Sequence, residues 1–275
     1  MGDHPWQDNA PAEDYTVDEL MVTVLASWFD NSDEVVNGMA SAMPVCAFAL
    51  ARLTHAPQLT WVAAGIGLDP REFHLPRSTL EAPLWQDAVA YLDHYRDFWH
   101  LVQGERHFRK FCVGAAQVDR YGNANNSILG DDVHAPRRRL PGTAGLGDMG
   151  SLGKQLYFWQ PRHSPRTLVE RVDFISCAGY LRGGDERERL GLAGGPQCMV
   201  TNLAVLDFEP VTRRMRLLSV HPGVGVEQVQ NATGFELALP DNGVTRTPAP
   251  TREQVRLLRD VIDPEGLRRY GFDHA

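Results

Sequence analysis

Five polar side chains fall within ten positions where an apolar segment gives out. They are Gln117, Asp119, Asn123, Asn125 and Asn126, in the run FCVGAAQVDRYGNANNS from Phe111 to Ser127. Phe111, Cys112 and Val113 have the character of a buried strand, and Gly114, Ala115 and Ala116 are too small to hold another backbone or a ligand away. Tyr121, Gly122 and Asn123 carry turn chemistry that allows positive φ. Such a cluster suits either a turn satisfied by its own Asx hydrogen bonds or the polar wall of a pocket at the carboxyl end of a strand. A second candidate is LPGTAGLGDM, residues 140–149. Its glycines are spaced so that backbone N–H groups at Gly142, Ala144 and Gly145 can converge on a developing oxyanion. The same residues also suit a plain strand-to-helix turn, with Asp148 ordering the loop or capping the helix.

These runs need a frame, and the chain alternates helix-like and strand-like segments. Thr16 followed by Asp18 and Glu19 has the form of an N-cap with an acidic first turn, opening an amphipathic helix through Leu20, Val24, Leu25 and Trp28. Val35 to Met39 reads as a strand, and Pro44 to Leu53 as a helix that stops at the His55-Ala56-Pro57 break. Leu59 to Val62 reads as a strand running into Ala63-Ala64-Gly65-Ile66-Gly67. Further strands are expected at 111–113, 156–159, 172–176, 199–206 and 215–220. Strands separated by helices imply an α/β fold with a largely parallel, helix-covered sheet and sites at the strand carboxyl ends. The aromatic stretch after Pro76 predicts a helix from about Trp85 to Val102, burying Tyr91, Tyr95, Phe98 and Trp99 along one stripe. The expected division is a loose N-terminal arm at 1–14, one α/β domain at 15–240 and a C-terminal tail at 241–275 with a short helix. GLAGGP at 191–196 lacks GxGxxG spacing and a phosphate lysine, so it reads as a turn.

Composition narrows the partners. The chain has 275 residues and a net charge of −8, which argues against a nucleic-acid surface, where clustered positive charge is needed. The run Pro136-Arg137-Arg138-Arg139 is the local exception; it suits ligand phosphates or an acidic subunit surface, and as a charge run it first of all suits solvent. Four cysteines at 46, 112, 177 and 198 show no CxxC spacing and read as small buried hydrophobes. With no secretory signal, they point to a reducing cytoplasm. No apolar run approaches the ~20 residues that span a bilayer, so no membrane partner is expected. His94 and His100 have no ligand-like companions, so no metal is expected, and no flavin or nicotinamide signature is present.

GAAQVDRYGNAN, from Gly114 to Asn125, resembles the GGAQID..GN.N segment in beta subunits of class I coenzyme A transferases. Other segments follow in the family's order: Leu20 to Trp28, His55-Ala56-Pro57, LPGTAGLGDM, VERVDFISCAGY from Val169, ERERLGLAGGPQCMVTNLAVLDF from Glu186 and SVHPGVGVEQVQNATGFEL from Ser219. The resemblance covers roughly residues 15 to 240 and implies the CoA-transferase beta-subunit fold. It implies that Gln117 and Asn123 contact the acyl or thioester portion of a bound acyl-CoA, with Gly65, Gly142, Ala144 and Gly145 also at the substrate. In the family, the segment similar to Val62–Gly67 carries a catalytic glutamate in a Glu-Ser-Gly or Glu-Asn-Gly motif. Here the matching residues are Ala63, Ala64 and Gly65. Transfer needs that carboxylate as a nucleophile, passing through an acyl anhydride to a glutamyl thioester, and alanine supplies none. Asp69 and Glu72 lie past a glycine turn, and productive geometry tolerates little displacement.

Within this family the chain resembles beta subunits of actinobacterial steroid ring-cleaving hydrolases. That resemblance implies hydrolysis of a carbon–carbon bond in a cyclic β-oxo acyl-CoA, a retro-Claisen reaction that needs a base and oxyanion donors but no glutamyl thioester. It further implies an alpha-subunit partner that supplies the base, an α2β2 heterotetramer, and coenzyme A as part of the substrate and not as a cofactor. No catalytic residue is then expected on this chain. The alternatives are an authentic transferase subunit with a displaced nucleophile, and a non-catalytic structural subunit.

Overall fold

A computed structural model describes residues 9–272, apart from 39, 73–74, 94–95, 98–99, 101–109, 153–154 and 193. The chain forms two compact units, one of Met1–Trp99 with Pro248–Ala275 and one of His100–Thr247. In the first unit lie α1 (Val17–Ala26), β1 (Glu34–Val36), α2 (Ala42–Leu53), β2 (Thr60–Ala63), β3 (Gly67–Pro70) and β4 (Ala88–Tyr91). The second unit begins with β5 (Lys110–Gly114), β6 (Gln117–Asp119), β7 (Ala124–Asn125), β8 (Ile128–Leu129), β9 (Arg138–Arg139), α3 (Leu146–Leu152) and β10 (Gln155–Gln160). It continues with β11 (Leu168–Val169), α4 (Glu186–Arg189), β12 (Gly195–Thr201), β13 (Ala204–Phe208), β14 (Met215–Val220), α5 (Val226–Asn231) and β15 (Thr245–Arg246). The last helix, α6 (Arg252–Leu257), returns to the first unit.

In the first unit, Thr16 caps α1 through its backbone N–H, which donates to Glu19 Oε2 at 2.8 Å. Leu20, Met21 and Leu25 of α1 are fully buried, as are Val45, Phe48 and Leu50 of α2. Phe48 meets Trp61 of β2 edge to face, ring centroids 6.1 Å apart. Strand β2 runs parallel to β1, then β3 and β4 add antiparallel. The helix expected from Trp85 is not formed at its start, because Ala88–Tyr91 pairs with β3 as strand β4. Gly67 allows that approach: a methyl there would lie 2.6 Å from Trp85 Cβ. Tyr91 is consequently exposed and packs edge-on against Trp85, outside any core stripe. Tyr95, Phe98, Trp99 and His94 of that expected helix lie outside the described residues.

The C-terminal segment is bound to α1 through buried charge. Arg268, 4% exposed, places Nη1 2.8 Å from Asp263 Oδ2, Nη2 3.1 Å from Glu19 Oε1 and Nε 2.7 Å from Asp18 Oδ2. The last of these is a charge contact without hydrogen-bond alignment. Arg259 grips both Glu19 oxygens at 2.7 and 2.9 Å.

The second unit orders its main strands β15-β14-β13-β12-β10-β5. Strand β10 is parallel to both β5 and β12, whereas β12, β13 and β14 form an antiparallel meander. This is a mixed α/β architecture whose longest ladder, β10–β12, is parallel, with Leu156, Phe158, Met199, Leu206, Met215 and Leu217 in its core. Two expected strands differ. The run 199–206 is broken into β12 and β13, because Thr201 Oγ1 accepts the N–H groups of Leu203 and Ala204 and turns the chain. Residues 172–176 form no strand: the N–H groups of Asp173 and Ser176 go to Gln117 Oε1 and the Ala124 carbonyl. Among the described residues, no helix is long and apolar enough to cross a membrane.

Candidate functional site

The amide-rich turn sits where β5 ends, beside parallel β10, and its side chains divide into braces and open groups. Asp119 accepts the backbone N–H groups of Tyr121 and Asn123, each at 3.0 Å, and the Asn123 amide at 2.9 and 3.1 Å. Burial pushes the Asp119 carboxyl above its ordinary range, and these donors pull it back toward ionisation. Asn123 is 1% exposed and is used on both sides. Its Nδ2 also donates to the Leu181 carbonyl at 2.8 Å, and its Oδ1 accepts from Gly179 and Leu181 N–H at 2.9 and 3.1 Å. The two chain segments cross so closely that a methyl at Gly179 would lie 2.3 Å from the Gly122 carbonyl. Asn123 is a latch between those segments and has no unpaired polar atom to offer a ligand.

Gln117 is arranged differently. Its Oε1 accepts from Asn125 Nδ2 at 2.7 Å and from Asp173 N–H at 3.1 Å, which fixes the amide orientation. Its Nε2 donates to none of the described residues. Asn126 joins the surroundings: Nδ2 donates to the Gly114 carbonyl at 2.9 Å, Oδ1 accepts from Ala116 at 2.8 Å, and the backbone N–H donates to Ser176 Oγ at 2.9 Å. Ser176 and Ser127 hydroxyls lie 2.7 Å apart. Asn126 and Ser176 carry no role in the sequence reading. The first was visible as a member of the cluster, whereas nothing in the sequence marked a serine 50 positions away.

Strands β8 and β9 extend this network into the glycine loop. Beyond their ladder, Leu140 N–H donates to the Ser127 carbonyl at 2.9 Å and Gly142 N–H to the Asn126 carbonyl at 2.8 Å. Gly142 has φ +110 and open space beside it, and Ala144 has φ +44. Of the three N–H groups singled out in this loop, that of Gly142 is taken, whereas those of Ala144 and Gly145, at the start of α3, donate to no acceptor among the described residues. The structure thus ties Gln117 and the Gly142–Gly145 loop into one network through Asn125, Asn126 and Ser127.

Ala63 belongs to the first unit and ends β2, fully buried. Ala64 and Gly65 have φ +55 and +70, and Ile66 N–H donates to the Ala63 carbonyl at 2.9 Å, a type I′ turn. Asn37 Oδ1 holds the turn by accepting Ala64 N–H and Trp61 Nε1–H, each at 3.0 Å. Asp69 Oδ1 accepts Trp61 N–H at 2.9 Å and lies 3.8 Å from Arg52, so this acid is committed to the hairpin. Burial raises the Cys112 thiol far above its ordinary range and those of Cys177 and Cys198 to about 12, which leaves no thiolate for nucleophilic work at neutral pH.

This architecture is that of a CoA-transferase subunit. The glutaconate coenzyme A-transferase of Acidaminococcus fermentans superposes with a TM-score of 0.81 at 26% identity, over 91% of this chain and 96% of that one. The coenzyme A transferase family model matches residues 97–232. The beta subunit of the 3-oxoadipate CoA-transferase from Pseudomonas knackmussii is 32% identical over 246 residues, 89% of this chain and 92% of its own. The cholesterol ring-cleaving hydrolase IpdB subunit of Rhodococcus jostii is 32% identical over 251 residues, 91% of this chain and 93% of its own. The chain belongs to the coenzyme A transferase family, among the beta chains of its two-subunit enzymes.

Proposed function

We propose that this chain is the beta-type subunit of a heteromeric hydrolase that opens the ring of a cyclic β-oxo acyl-CoA. The observation that carries the reading is Ala63, buried in a hairpin that keeps the positive-φ turn but holds no carboxylate at the family's nucleophile position. Asp69, the nearest acid along the chain, is bound to Trp61 N–H. Covalent CoA transfer has no nucleophile on such a chain, whereas hydrolysis needs none. Water, deprotonated by a base from the partner subunit, adds to the ring ketone. The bond from that carbon to the α-carbon then breaks, its electron pair passes into the thioester enolate, and a proton returns to the α-carbon. The product is a single ring-opened acyl-CoA that carries the new carboxylate at its far end. Gln117 Nε2 and the Ala144 and Gly145 N–H groups are the donors we assign to the thioester oxygen, where charge develops; one well-aimed donor of this kind contributes ~3 kcal/mol. Coenzyme A enters with the substrate, and the scheme uses no other cofactor.

A transferase reading has in its favour the 32% identity to the 3-oxoadipate CoA-transferase relative, equal to that of the ring-cleaving one. One experiment separates them. The chain is co-expressed with its partner subunit and given the cyclic acyl-CoA in ¹⁸O-water, and in parallel acyl-CoA with acetate or succinate. Ring-opened product carrying ¹⁸O in its new carboxylate is expected. A transferred thioester, or a glutamyl adduct trapped by borohydride, would refute the hydrolase.

A further inference from the structure

Helix α3 begins at the two N–H groups assigned to the thioester oxygen, yet it has little apolar anchorage of its own. Among the described residues of Leu146–Leu152, Gly150 alone is buried, and Leu152 is exposed. Gly150 packs so tightly that a methyl on it would lie 2.5 Å from Ala178 N and 3.0 Å from Cys177 Sγ. A buried guanidinium completes that contact. Arg187, 1% exposed, donates from Nη2 to the Gly150 carbonyl at 2.7 Å, from Nη1 to the Ala178 and Gly179 carbonyls at 2.8 and 2.9 Å, and from Nε to the Gly194 carbonyl at 2.9 Å. Gly195 makes room for the side chain, since a methyl there would lie 3.1 Å from Arg187 Cδ and Nε. The Gly150 carbonyl belongs to the last turn of α3, where a cation is favoured. Ala178 and Gly179, in turn, lie in the segment latched to the β6–β7 turn that carries Gln117: Gly179 N–H donates to Asn123 Oδ1 at 2.9 Å, and Ala124 N–H to the Cys177 carbonyl at 3.0 Å. One planar fork thus joins the helix that presents the Ala144 and Gly145 N–H groups to the turn that presents Gln117.

We propose that Arg187 is a positioning residue: by clamping α3 to residues 178–179 it sets the Ala144 and Gly145 N–H groups against Gln117 Nε2, so that all three meet one oxygen. The identity of that oxygen rests on the hydrolase reading above. Arg187 acts through α3 and not on the substrate. Its effect belongs to the transition state, because displaced oxyanion donors cost rate far more than binding. The test uses the assembled complex with 2-oxocyclohexanecarboxyl-CoA and two variants that disturb the clamp from opposite sides. Arg187→Lys keeps the cation and loses the fork, whereas Gly150→Ala keeps Arg187 and pushes α3 away from Ala178. Assayed well below its melting temperature, each should lose kcat by about tenfold or more with KM within about threefold of wild type. Amide exchange should quicken across residues 144–150 in both variants and keep its wild-type rate in β5 and β10. Full kcat in either folded variant, or exchange that quickens across the whole unit, overturns the proposal. The wild type gives a measurement that stands even where the variants fail to fold. Its Met149 N–H donates to the Gly145 carbonyl at 2.9 Å and should exchange about 100-fold or more below the free-peptide rate; exchange at the free-peptide rate would show an unclamped α3 and overturn the proposal as well. Ring opening at equal rates in wild type and variants removes Arg187 and leaves the hydrolase standing. Loss of CoA transfer from acetyl-CoA to succinate in the same variants, with no ring opening by the wild type, refutes the hydrolase and leaves Arg187 in its role.

Discussion

His163 gives this fold a pH dependence whose size and sign follow from its hydrogen bonds. The side chain is 7% exposed, with Nε2 2.8 Å from Thr233 Oγ1 and Nδ1 2.9 Å from Thr201 Oγ1. Thr233 Oγ1 donates to the Val229 carbonyl at 2.8 Å, so it accepts from the ring, and the proton sits on Nε2. Thr201 Oγ1 accepts from Leu203 and Ala204 N–H, and its own proton is shared between Nδ1 and the Ala204 carbonyl, 3.2 Å away. A second proton on His163 would crowd an oxygen that already accepts two N–H groups, and His221, itself buried, would add repulsion. Burial, reinforced by His221, lowers the His163 pKa from 6.5 to about 4. The unfolded chain takes up the proton near 6.5 and the folded chain only near 4. The contribution is thus complete above pH 6.5, falls as pH drops, and is fully lost below about 4. At about 1.4 kcal/mol per pH unit, that interval amounts to ~3 kcal/mol. Urea denaturation of wild type and His163→Gln between about pH 7.5 and 4 isolates it, because the carboxylates common to both cancel. The gap between the two stabilities should narrow by ~3 kcal/mol on acidification. Parallel curves over that range, or an imidazole NMR titration of folded protein near 6.5, would refute the reasoning.

Three other consequences can be measured directly. Arg268→Ala leaves Asp18, Glu19 and Asp263 buried with one cation fewer and should destabilise the chain by about 3–5 kcal/mol, seen as a large fall in Tm; a loss under about 1 kcal/mol would show that the cluster is not closed in solution. Ala64 holds φ +55, so Ala64→Gly should raise stability by ~1 kcal/mol with the Asn37 hydrogen bond retained, and an unchanged or lower Tm contradicts the strain. Gln117→Glu keeps the oxygen that Asn125 and Asp173 need and removes the Nε2 donor; turnover should fall by about 100-fold or more with Tm nearly unchanged, whereas full activity would take Gln117 out of the reaction.

How far the sequence exposes such a site depends on how local the deciding interactions are. The end of β5, the Asx turn at Asp119–Asn123 and the capped start of α1 are written in a few adjacent residues, and the structure places them where those residues point. The break inside 199–206 was hidden because Val200, Thr201, Ala204 and Val205 all suit a strand, and only the Thr201 hydroxyl distinguishes a turn. Up to Tyr91, the aromatic spacing after Trp85 gave way to pairing with β3, where Gly67 let Trp85 approach. Gln117 and Asn123 show the same limit at the level of single atoms. Both are buried carboxamides six positions apart in one turn, and composition gives no reason to treat them differently. What separates them is distant in sequence: Gly179 and Leu181 take both ends of the Asn123 amide, whereas Asp173 and Asn125 take only the oxygen of Gln117.

Ala63 presents the converse case, in which loss is local and retention is not. The missing carboxylate can be read from one letter, but the intact turn around it cannot. Ala64 still occupies a left-handed conformation that Asn or Gly adopts at less cost, and Asn37 still holds it there. Ala64→Gly tests the turn a second way, by turnover beside stability. If the turn serves only folding, the variant gains stability and keeps its turnover. If the turn also matters to the reaction, the more flexible glycine should raise KM for the cyclic thioester while stability still rises.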